Sequence, residues 1–241
     1  MTPIQLTSDI TVKLLKACAT DRDVLDAARV STLGDEVIDQ LVDEEDIVGL
    51  INYLMKHRHG TPFEHNMFRF FVHAPIFVWR EWHRHRIGFS YNEESARYTQ
   101  LKPVFYLPPR DRPMMKVEGW KPGKPKFLRC ESDETYEKLC HNLITSYKLA
   151  YEMYVDNLGM SIDPGLSRDC LPVGIYSSCW VTCNARSLMA FLSLRTHNPD
   201  ARDVSYPLYE IENAARQVSQ ALEEHMPLTY AAFLNEGYRA P

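Results

Sequence analysis

The sequence predicts an α+β protein in which a central, mainly antiparallel sheet is flanked by helices. Three patterns lead to this prediction. Phe68, Phe70 and Val72 alternate with side chains of the opposite face, as in a strand. Residues 174–183 are rich in aromatic, β-branched and hydroxyl side chains, which favour a second strand. Apolar residues spaced three or four positions apart recur in several other segments and predict amphipathic helices.

The first predicted elements are two helices. Residues 21–30 are expected to form a short helix, and a second helix begins in the acidic run 43–46 and ends at residues 57–60. Acids in a first turn and cations in a last turn both interact favourably with the helix dipole. An apolar stripe that starts at Ile47 and recurs at i+4 and i+7 gives the second helix its buried face.

A strand, a helix and a loop are predicted to follow. The alternating residues belong to a strand at residues 66–73. Pro75 can occupy the first turn of a helix that extends to about residue 84, because its missing N–H has no helical partner to lose there. Residues 87–99 are predicted to form a loop.

The second half of the chain begins with an irregular segment. Residues 102–126 hold six prolines and two glycines around a short predicted strand at residues 104–107. A long helix is expected from Asp133. Three further helices are predicted to begin near Asn184, Pro207 and Pro227.

The length suits one large domain or two small ones, and the composition is that of an ordinary globular protein. Because the core-forming segments on either side of residues 102–126 are short and are expected to share one core, we predict a single domain, residues 1–241. The net charge of −5 does not favour nucleic acid as a partner. No apolar run is long enough to span a membrane, and the N-terminus lacks the features of a signal peptide. The six cysteines form no CxxC pair, which is typical of reduced intracellular thiols. We therefore expect a cytoplasmic protein without a membrane partner.

The most informative segment is residues 84–98, which carries three arginines, a histidine, two acids, an amide and several hydroxyls. Arg84, His85 and Arg86 are consecutive, so their charges repel unless an anion lies among them. Arginine presents a planar fork of donors that matches phosphate and carboxylate oxygens. The segment therefore indicates an oxyanion-binding site on a mildly acidic chain, and hence a small anionic ligand.

Arg195 is a second candidate, because it lies on the apolar stripe of its predicted helix, four residues after Phe191. An arginine on a buried face needs a partner. One interpretation is an internal salt bridge to an acid. The other is a cation that stabilises negative charge developing during a reaction.

The histidines leave a metal site open as an alternative. His57 and His59, and again His83 and His85, have the HxH spacing of metal sites. Neighbouring arginines oppose a divalent cation, although Glu64 and Glu81 offer carboxylates. A metal-dependent phosphohydrolase is therefore an alternative to the oxyanion site, although we predict no bound metal. His65 and His73 are more simply structural histidines.

Several familiar catalytic motifs are missing from the sequence. Cys179 and Cys183 lie in an apolar predicted strand, where a thiol behaves as a small hydrophobe. Ser90 and Ser95 lack the GxSxG elbow, and the chain has neither a P-loop nor GxGxxG. A cofactor would therefore bind through arginines, hydroxyls and amides.

The chain resembles the flavin-dependent thymidylate synthases. Arg84-His85-Arg86, followed by Asn92-Glu93, Ser95 and Arg97-Tyr98, is similar to the signature of that family. The spacer before the signature serine is typically seven residues in the family, whereas residues 87–94 make eight here, with the extra residue at Gly88 or Phe89. Further blocks of similarity lie, in the family's order, at residues 27–31, 59–65, 74–78, 167–172 and 184–195.

The resemblance implies reductive methylation of dUMP to dTMP. Methylenetetrahydrofolate would donate the carbon, reduced FAD the hydride, and NADPH would re-reduce the flavin. No cysteine attacks the base in this family. The resemblance also implies a homotetramer whose active sites are shared between subunits. The alternative is a nucleotide-binding protein that has lost turnover.

The resemblance assigns site residues position by position. Arg195 and His59 would be catalytic, with Arg195 facing the uracil ring and His59 near the isoalloxazine. Arg195 would also help to bind the substrate. The other substrate-binding residues implied are Glu81, Glu93, Glu94, Ser95, Arg97 and Arg168. The FAD-binding residues implied are Ser31, Thr61, Glu64, Arg84, His85, Arg86, Asn184 and Arg186.

Overall fold

The computed structural model describes residues 3–38, 44–122 and 124–241. The helices are α1 Asp21–Leu33, α2 Glu44–Lys56, α3 Ile76–Trp82, α4 Asp133–Gly159, α5 Pro164–Ser167, α6 Ala185–Arg195, α7 Tyr209–His225 and α8 Pro227–Asn235. The strands are β1 Gln5–Thr7, β2 Thr11–Cys18, β3 Met67–Pro75, β4 Phe89–Glu93, β5 Val104–Tyr106, β6 Pro113–Lys116, β7 Phe127–Arg129 and β8 Tyr176–Cys183. Short 3-10 turns lie at Gly34–Ile38, Thr61–Glu64 and Arg168–Cys170.

The largest sheet has four strands in the order β2-β3-β8-β4. Two smaller pairs accompany it: β1 runs parallel to β5, and β6 runs antiparallel to β7. Helices thus combine with antiparallel sheet, which confirms the predicted α+β class.

The two predicted core strands are confirmed. In β3, Phe68, Phe70 and Val72 are buried while the residues between them are half-buried, so the period of two is correct. In β8, Val181 and Cys183 are buried.

The predicted helix starts are also confirmed where the chain is described. Asn184 caps α6, since its side chain accepts a hydrogen bond from the Ser187 N–H at 2.9 Å. Ser132 caps α4 in the same way. α7 and α8 begin close to Pro207 and Pro227. Pro75 is the N-cap of α3 rather than its first helical residue, and that helix ends at Trp82. Asp43 of the predicted acidic start of α2 lies outside the described residues.

Two predictions of irregular structure were wrong. Residues 87–99 were expected to form a loop, but β4 occupies their first part. Its residues alternate between half-buried and exposed, with Phe89 and Tyr91 on the half-buried side, so sheet pairing outweighs the local polarity. Residues 102–126 contain β5 as predicted, and they also contain β6, which pairs with β7.

The chain divides into two compact units. Unit 1 comprises the described residues of Met1–Thr11, Val72–His83 and Asn92–Cys179. Its core is aromatic: Phe105 of β5 stacks on Tyr147 of α4 at 4.7 Å, and the Tyr151 hydroxyl donates to the Leu101 carbonyl at 2.9 Å. The buried residues of this core are Ala96, Leu101, Phe105, Tyr147, Tyr151, Tyr154 and Ile175.

Unit 2 comprises the described residues of Val12–Phe71, Arg84–Tyr91 and Trp180–Pro241. Helix α1 packs against α2, α6 against α7, and both α2 and α7 against α8. The buried carboxylate of Asp21, at the start of α1, accepts hydrogen bonds from the Leu228 and Thr229 N–H groups and from the Thr229 hydroxyl, at 2.6–2.9 Å. An acid at the N-terminal turn of α8 is favourable for the helix dipole and satisfies otherwise unpaired N–H groups.

Among the described helices, none combines the length and the apolar character needed to cross a membrane.

Candidate active site

Unit 1 contains a cavity of about 640 Å³. It brings together four predicted substrate-binding residues from two distant segments: Glu93, Glu94 and Ser95 at the end of β4, and Arg168 after α5. Three further polar residues line it, namely Arg80, Asp169 and Ser177. Its apolar lining consists of Ile76, Ala96, Leu101, Leu171, Pro172, Val173 and Ile175. A cavity with an apolar lining and a few polar groups is the usual form of a small-molecule site.

The two arginines of the cavity lack protein partners. Within the described part of the chain, the guanidinium groups of Arg80 and Arg168 make neither a hydrogen bond nor an ion pair. Both side chains are exposed. A pair of exposed guanidinium groups at one cavity can therefore take an anionic ligand without breaking an internal salt bridge.

The acidic residues of the cavity have local contacts. The Glu94 N–H donates to the Ser178 carbonyl at 2.8 Å, which fixes this segment against β8. A Glu93 carboxylate oxygen lies 4.0 Å from His83 Nε2, a contact that becomes an ion pair only when His83 is protonated. Carboxylates are hydrogen-bond acceptors, so they suit the hydroxyl and imide donors of a nucleotide rather than its phosphate.

Ser177 adds a buried hydroxyl to the cavity lining. Only 1% of the residue is exposed, and within the described residues its Oγ has no hydrogen-bond partner. Ile175 and Ser177 line the cavity, whereas the intervening Tyr176 packs on the His73 ring at 4.9 Å. The alternation of β8 thus separates a cavity face from a structural face, and His73 is a structural histidine as predicted.

Two predicted substrate-binding residues of unit 1 do not line the cavity. Arg97 is exposed, and its guanidinium lies over the Tyr98 ring at 5.4 Å from the ring centre. Glu81 is half-buried on α3. Their roles toward a nucleotide stay predictions.

In unit 2, Arg186 is held by three neighbours. Its Nη1 donates to Glu64 at 2.5 Å, and its Nε donates to the Pro241 carbonyl at 3.0 Å. A side-chain Cβ on Gly60 would meet the guanidinium at 2.4 Å, so a larger residue there would force Arg186 to shift. Two residues predicted to bind FAD, Glu64 and Arg186, therefore form one fixed pair.

A second fixed pair joins Arg195 to His85. The Nε–H of Arg195, at the end of α6, donates to His85 Nε2 at 3.0 Å. One partner that the structure gives Arg195 is therefore an imidazole 110 residues away in sequence. Burial, and secondly the charge of Arg195, lower the pKa of His85 to about 4.

The residues between the signature arginines and β4 are anchored to α6. The Ser187 hydroxyl donates to the Ile87 carbonyl at 2.9 Å. Gly88 has a φ of 69°, and a side chain there would meet the Ser187 Oγ at 2.0 Å. The backbone at residue 88 therefore forms a turn that requires glycine.

The other predicted FAD-binding residues of unit 2, and the predicted catalytic residue His59, are mostly exposed. Thr61 begins a 3-10 turn, and Ser31 lies on α1 with its hydroxyl bonded to the Ala28 carbonyl at 2.9 Å. Arg84 and Arg86 flank His85 and are exposed. His59 is exposed after α2, with Tyr53 edge-on at 5.8 Å. Asn184 is used as the α6 cap.

These donors fit an anionic dinucleotide such as FAD. Arg84 and Arg86 supply positive charge and Thr61 supplies a hydroxyl, and all three are exposed. Phosphate oxygens are acceptors only, so they match this set of donors. The set lies wholly in unit 2.

Neither a thiol nucleophile nor a metal site emerges in the described residues. Burial raises the pKa of Cys179 to about 12, and it raises the pKa of the fully buried Cys183 further. Both thiols therefore stay protonated, as predicted for small hydrophobes. No group of three or more His, Cys, Asp or Glu residues is arranged to hold a metal ion in the described ranges. The phosphohydrolase alternative gains no support.

Sequence reasoning missed Arg80, Asp169 and Ser177. One signal was present for Arg80: it follows Ile76 by four residues on the same helix, and both line the cavity. Asp169 follows a predicted arginine directly. Ser177 carried no local signal, because a hydroxyl is common in a strand.

The chain is similar to known proteins over nearly its whole length. The family model described as "Thymidylate synthase complementing protein" matches residues 13–228. A flavin-dependent thymidylate synthase of Streptomyces coelicolor is 51% identical over 99% of this chain and 96% of its own length. One of Tropheryma whipplei is 45% identical over 100% of this chain and 98% of its own.

A solved structure agrees with the fold. The UMP/dUMP methylase PolB of Streptomyces cacaoi, bound with 5-Br dUMP, superposes with a TM-score of 0.92. It is 45% identical, and the match covers 99% of this chain and 100% of that one. A second structure of PolB holds 5-Br UMP and superposes with a TM-score of 0.90.

Proposed function

This chain belongs to the flavin-dependent thymidylate synthase family, a family of enzymes, and we propose that it reductively methylates dUMP to dTMP. The observation that carries the proposal is the cavity of unit 1, where Arg80 and Arg168 lack protein partners beside an apolar lining. A nucleotide combines a charged phosphate with a planar base whose faces can pack on apolar side chains, so it matches both parts. The relative PolB, with 5-Br dUMP bound, supports the same substrate class.

Three small molecules complete the proposed reaction. Methylenetetrahydrofolate is the carbon donor, and NADPH is the source of electrons. FAD, when bound, supplies the hydride that reduces the transferred carbon to a methyl group. Its proposed ligands in unit 2 are Ser31, Thr61, Glu64, Arg84, His85, Arg86, Asn184 and Arg186.

The residues of unit 1 bind and orient the nucleotide. Arg168 holds the phosphate through its guanidinium fork together with Arg80, which lines the same cavity. Arg97, outside the cavity lining, is proposed to contribute a further charge. Glu93, Glu94 and Ser95 accept or donate hydrogen bonds to the uncharged parts of the nucleotide, with Glu81 assisting. The apolar lining excludes water from the base, which strengthens the polar contacts made there.

Arg195 is the proposed catalytic cation. C5 of uracil becomes nucleophilic as negative charge builds on the pyrimidine, and a fixed guanidinium stabilises that charge more in the transition state than in the substrate. His59 is proposed to lie near the flavin ring. The raised pKa values of Cys179 and Cys183 agree with a reaction in which no thiol attacks the base.

The assembly and location of the protein are further parts of the proposal. We propose a homotetramer that shares active sites between subunits and works in the cytoplasm as one functional domain, residues 1–241. No nucleic acid or membrane partner is required by this function.

UMP is a second candidate substrate. The specific observation is the likeness to PolB, whose structures hold either 5-Br dUMP or 5-Br UMP. The two nucleotides differ only by the 2′-hydroxyl, so parallel assays with each decide between them.

The test is tritium release from C5-labelled dUMP, run anaerobically with FAD, NADPH and methylenetetrahydrofolate. We expect release together with dTMP, and none when the folate is omitted. Folded, FAD-loaded protein that binds dUMP but releases no tritium would instead identify a nucleotide-binding protein without turnover.

A further inference from the structure

The contact between His85 and Arg195 gives the histidine a role beyond cofactor binding. We propose that His85 is a positioning residue for Arg195, whose guanidinium it orients by accepting the Nε–H hydrogen bond. The inference rests on the proposed catalytic function of Arg195 and deepens it. His85 acts through the arginine and need not touch the pyrimidine.

The geometry explains why Arg195 needs such a partner. Arg195 is the last residue of α6, and an arginine side chain has several rotatable bonds. A hydrogen bond through Nε fixes the plane of the guanidinium, because all its nitrogens are coplanar. The direction of the Nη1–Nη2 edge is then set by the imidazole rather than by free rotation of the side chain.

His85 is itself held on several sides. Its ring meets the edge of buried Phe191 at 4.9 Å, and Phe89 lies at 6.1 Å. The Tyr91 hydroxyl donates to the His85 carbonyl at 2.6 Å, while the Tyr91 ring stacks on Phe89 at 5.8 Å. Phe89 and Tyr91 of β4 thus support the histidine from one side. Phe191 of α6 supports it from another side. An imidazole can orient the Arg195 guanidinium only if the imidazole is itself held in place, and these contacts hold it.

The contact also requires a neutral imidazole. Nε2 accepts a hydrogen bond only when it carries no proton, so the proton of neutral His85 is on Nδ1. The lowered pKa of His85, about 4, keeps this form dominant near neutral pH. The charge of Arg195 contributes to that lowering, so each partner favours the state that the pair needs.

The first test compares His85→Leu with His85→Gln. Leucine fills similar space but accepts no hydrogen bond, whereas glutamine places an amide oxygen near the position of Nε2. With FAD at saturation, we expect His85→Leu to lower kcat by about tenfold to a hundredfold, the range for losing a hydrogen bond to a charged group. His85→Gln should recover most of the loss. His141→Gln, at an exposed position of α4, is the matched control and should equal wild type.

Three results of this comparison would overturn the proposal. His85→Leu with wild-type kcat would show that Arg195 needs no acceptor. His85→Gln as impaired as His85→Leu would show that accepting a hydrogen bond is not the function. Loss of FAD from both variants, with kcat restored by added FAD, would make His85 a cofactor ligand only.

A double-variant cycle connects the effect to Arg195. Arg195→Lys keeps the positive charge but removes the Nε–H of the fork. If His85 acts only through that group, adding His85→Leu to Arg195→Lys changes kcat less than twofold. If the decrease in kcat of the double variant equals the product of the two single decreases, the two residues act independently.

A spectroscopic arm separates this inference from the proposed function. In protein labelled at its histidines, the His85 signal is identified by its loss in His85→Gln. We expect that signal to stay neutral, with the proton on Nδ1, down to about pH 5, and to titrate at higher pH in Arg195→Ala. Should wild type make no dTMP yet give this result, the pairing stands and the proposed function fails. An identical titration in wild type and Arg195→Ala would refute the pairing itself.

Discussion

The two arginines that line the cavity of unit 1 differ from Arg186 and Arg195 of unit 2 in what holds them. In unit 1, Arg80 and Arg168 line the cavity without a hydrogen bond or ion pair to any described residue. In unit 2, Arg186 is paired with Glu64, and Arg195 donates to His85. Unpaired cations rely on a ligand for neutralisation and suit binding of a charged substrate. Paired cations are fixed before the ligand arrives and suit orientation of a reacting group.

The residues implied by the family resemblance follow the same division. Those expected to bind FAD, together with His59 and Arg195, all lie in unit 2. Those expected to bind dUMP lie in unit 1, apart from Arg195. Arg195 is the exception, because it lies in unit 2 but is expected to contact dUMP. Substituting it is therefore the most severe test of the division between the two units.

The largest effect is expected from Arg195→Ala. Turnover should be abolished while FAD stays bound, because the arginine acts on the pyrimidine and its removal leaves the Arg186–Glu64 pair intact. Flavin absorbance per protomer and tritium release measure the two quantities separately. Loss of FAD with preserved tritium release after FAD is added would reverse the assigned role.

A smaller effect is expected from Arg80→Ala in the cavity. Losing a charge-assisted phosphate contact should cost about 1.5–3 kcal/mol, or about one to two decades in dUMP affinity. Titration calorimetry with dUMP measures it. Arg129→Ala, which removes an exposed arginine of β7 outside the cavity lining, is the matched control. Equal dUMP affinity in both variants would remove Arg80 from the site.

Gly60→Ala tests how tightly unit 2 fixes its arginine. The new methyl group would meet the Arg186 guanidinium, so we expect a loss of folding stability of about 1–3 kcal/mol, the usual range for overpacking. FAD retention should fall as Arg186 is displaced. Gly49→Ala is the control, since nothing lies within 4 Å of the added atom and alanine favours the α2 helix. Thermal melts and flavin content are the measurements, and a Gly60→Ala protein that behaves like Gly49→Ala contradicts the fixed pair.

The smallest effect concerns pH. The pKa of His85 is about 4 in the folded protein and near 6.5 when unfolded, so the unfolded chain binds more protons between these values. Folding stability therefore falls as pH falls from about 6.5 to 4. His73 contributes with the same sign, because burial chiefly lowers its pKa. The drop in melting temperature between pH 7 and pH 5 should be smaller in His85→Gln than in wild type, and equal drops would refute this contribution.

Much of the fold was predictable because its signals are local. The alternation of Phe68, Phe70 and Val72 predicted β3, and Asn184 predicted the start of α6 through a cap that its side chain does make. β4 was missed because its exposed residues are those of a loop, and only pairing within the four-stranded sheet makes the segment extended.

The site was predictable where a motif carried it. The signature residues Glu93, Glu94 and Ser95 were found together with Arg168, and the structure places all four on one cavity. The partner of Arg195 was not predictable, because a hydrogen bond to a histidine 110 residues away depends on tertiary packing. Arg80 joins the cavity for the same reason.

The claim that the two units serve different ligands is tested most directly by binding to Arg168→Ala and Arg186→Ala, measured side by side. For each variant, FAD content is read from flavin absorbance, and dUMP affinity is read by calorimetry on FAD-loaded protein. We predict that Arg168→Ala keeps its FAD and loses about one to two decades of dUMP affinity, while Arg186→Ala loses FAD and, once reloaded, binds dUMP as wild type does. The account is contradicted if both variants lose the same ligand, or if Arg168→Ala binds dUMP unchanged.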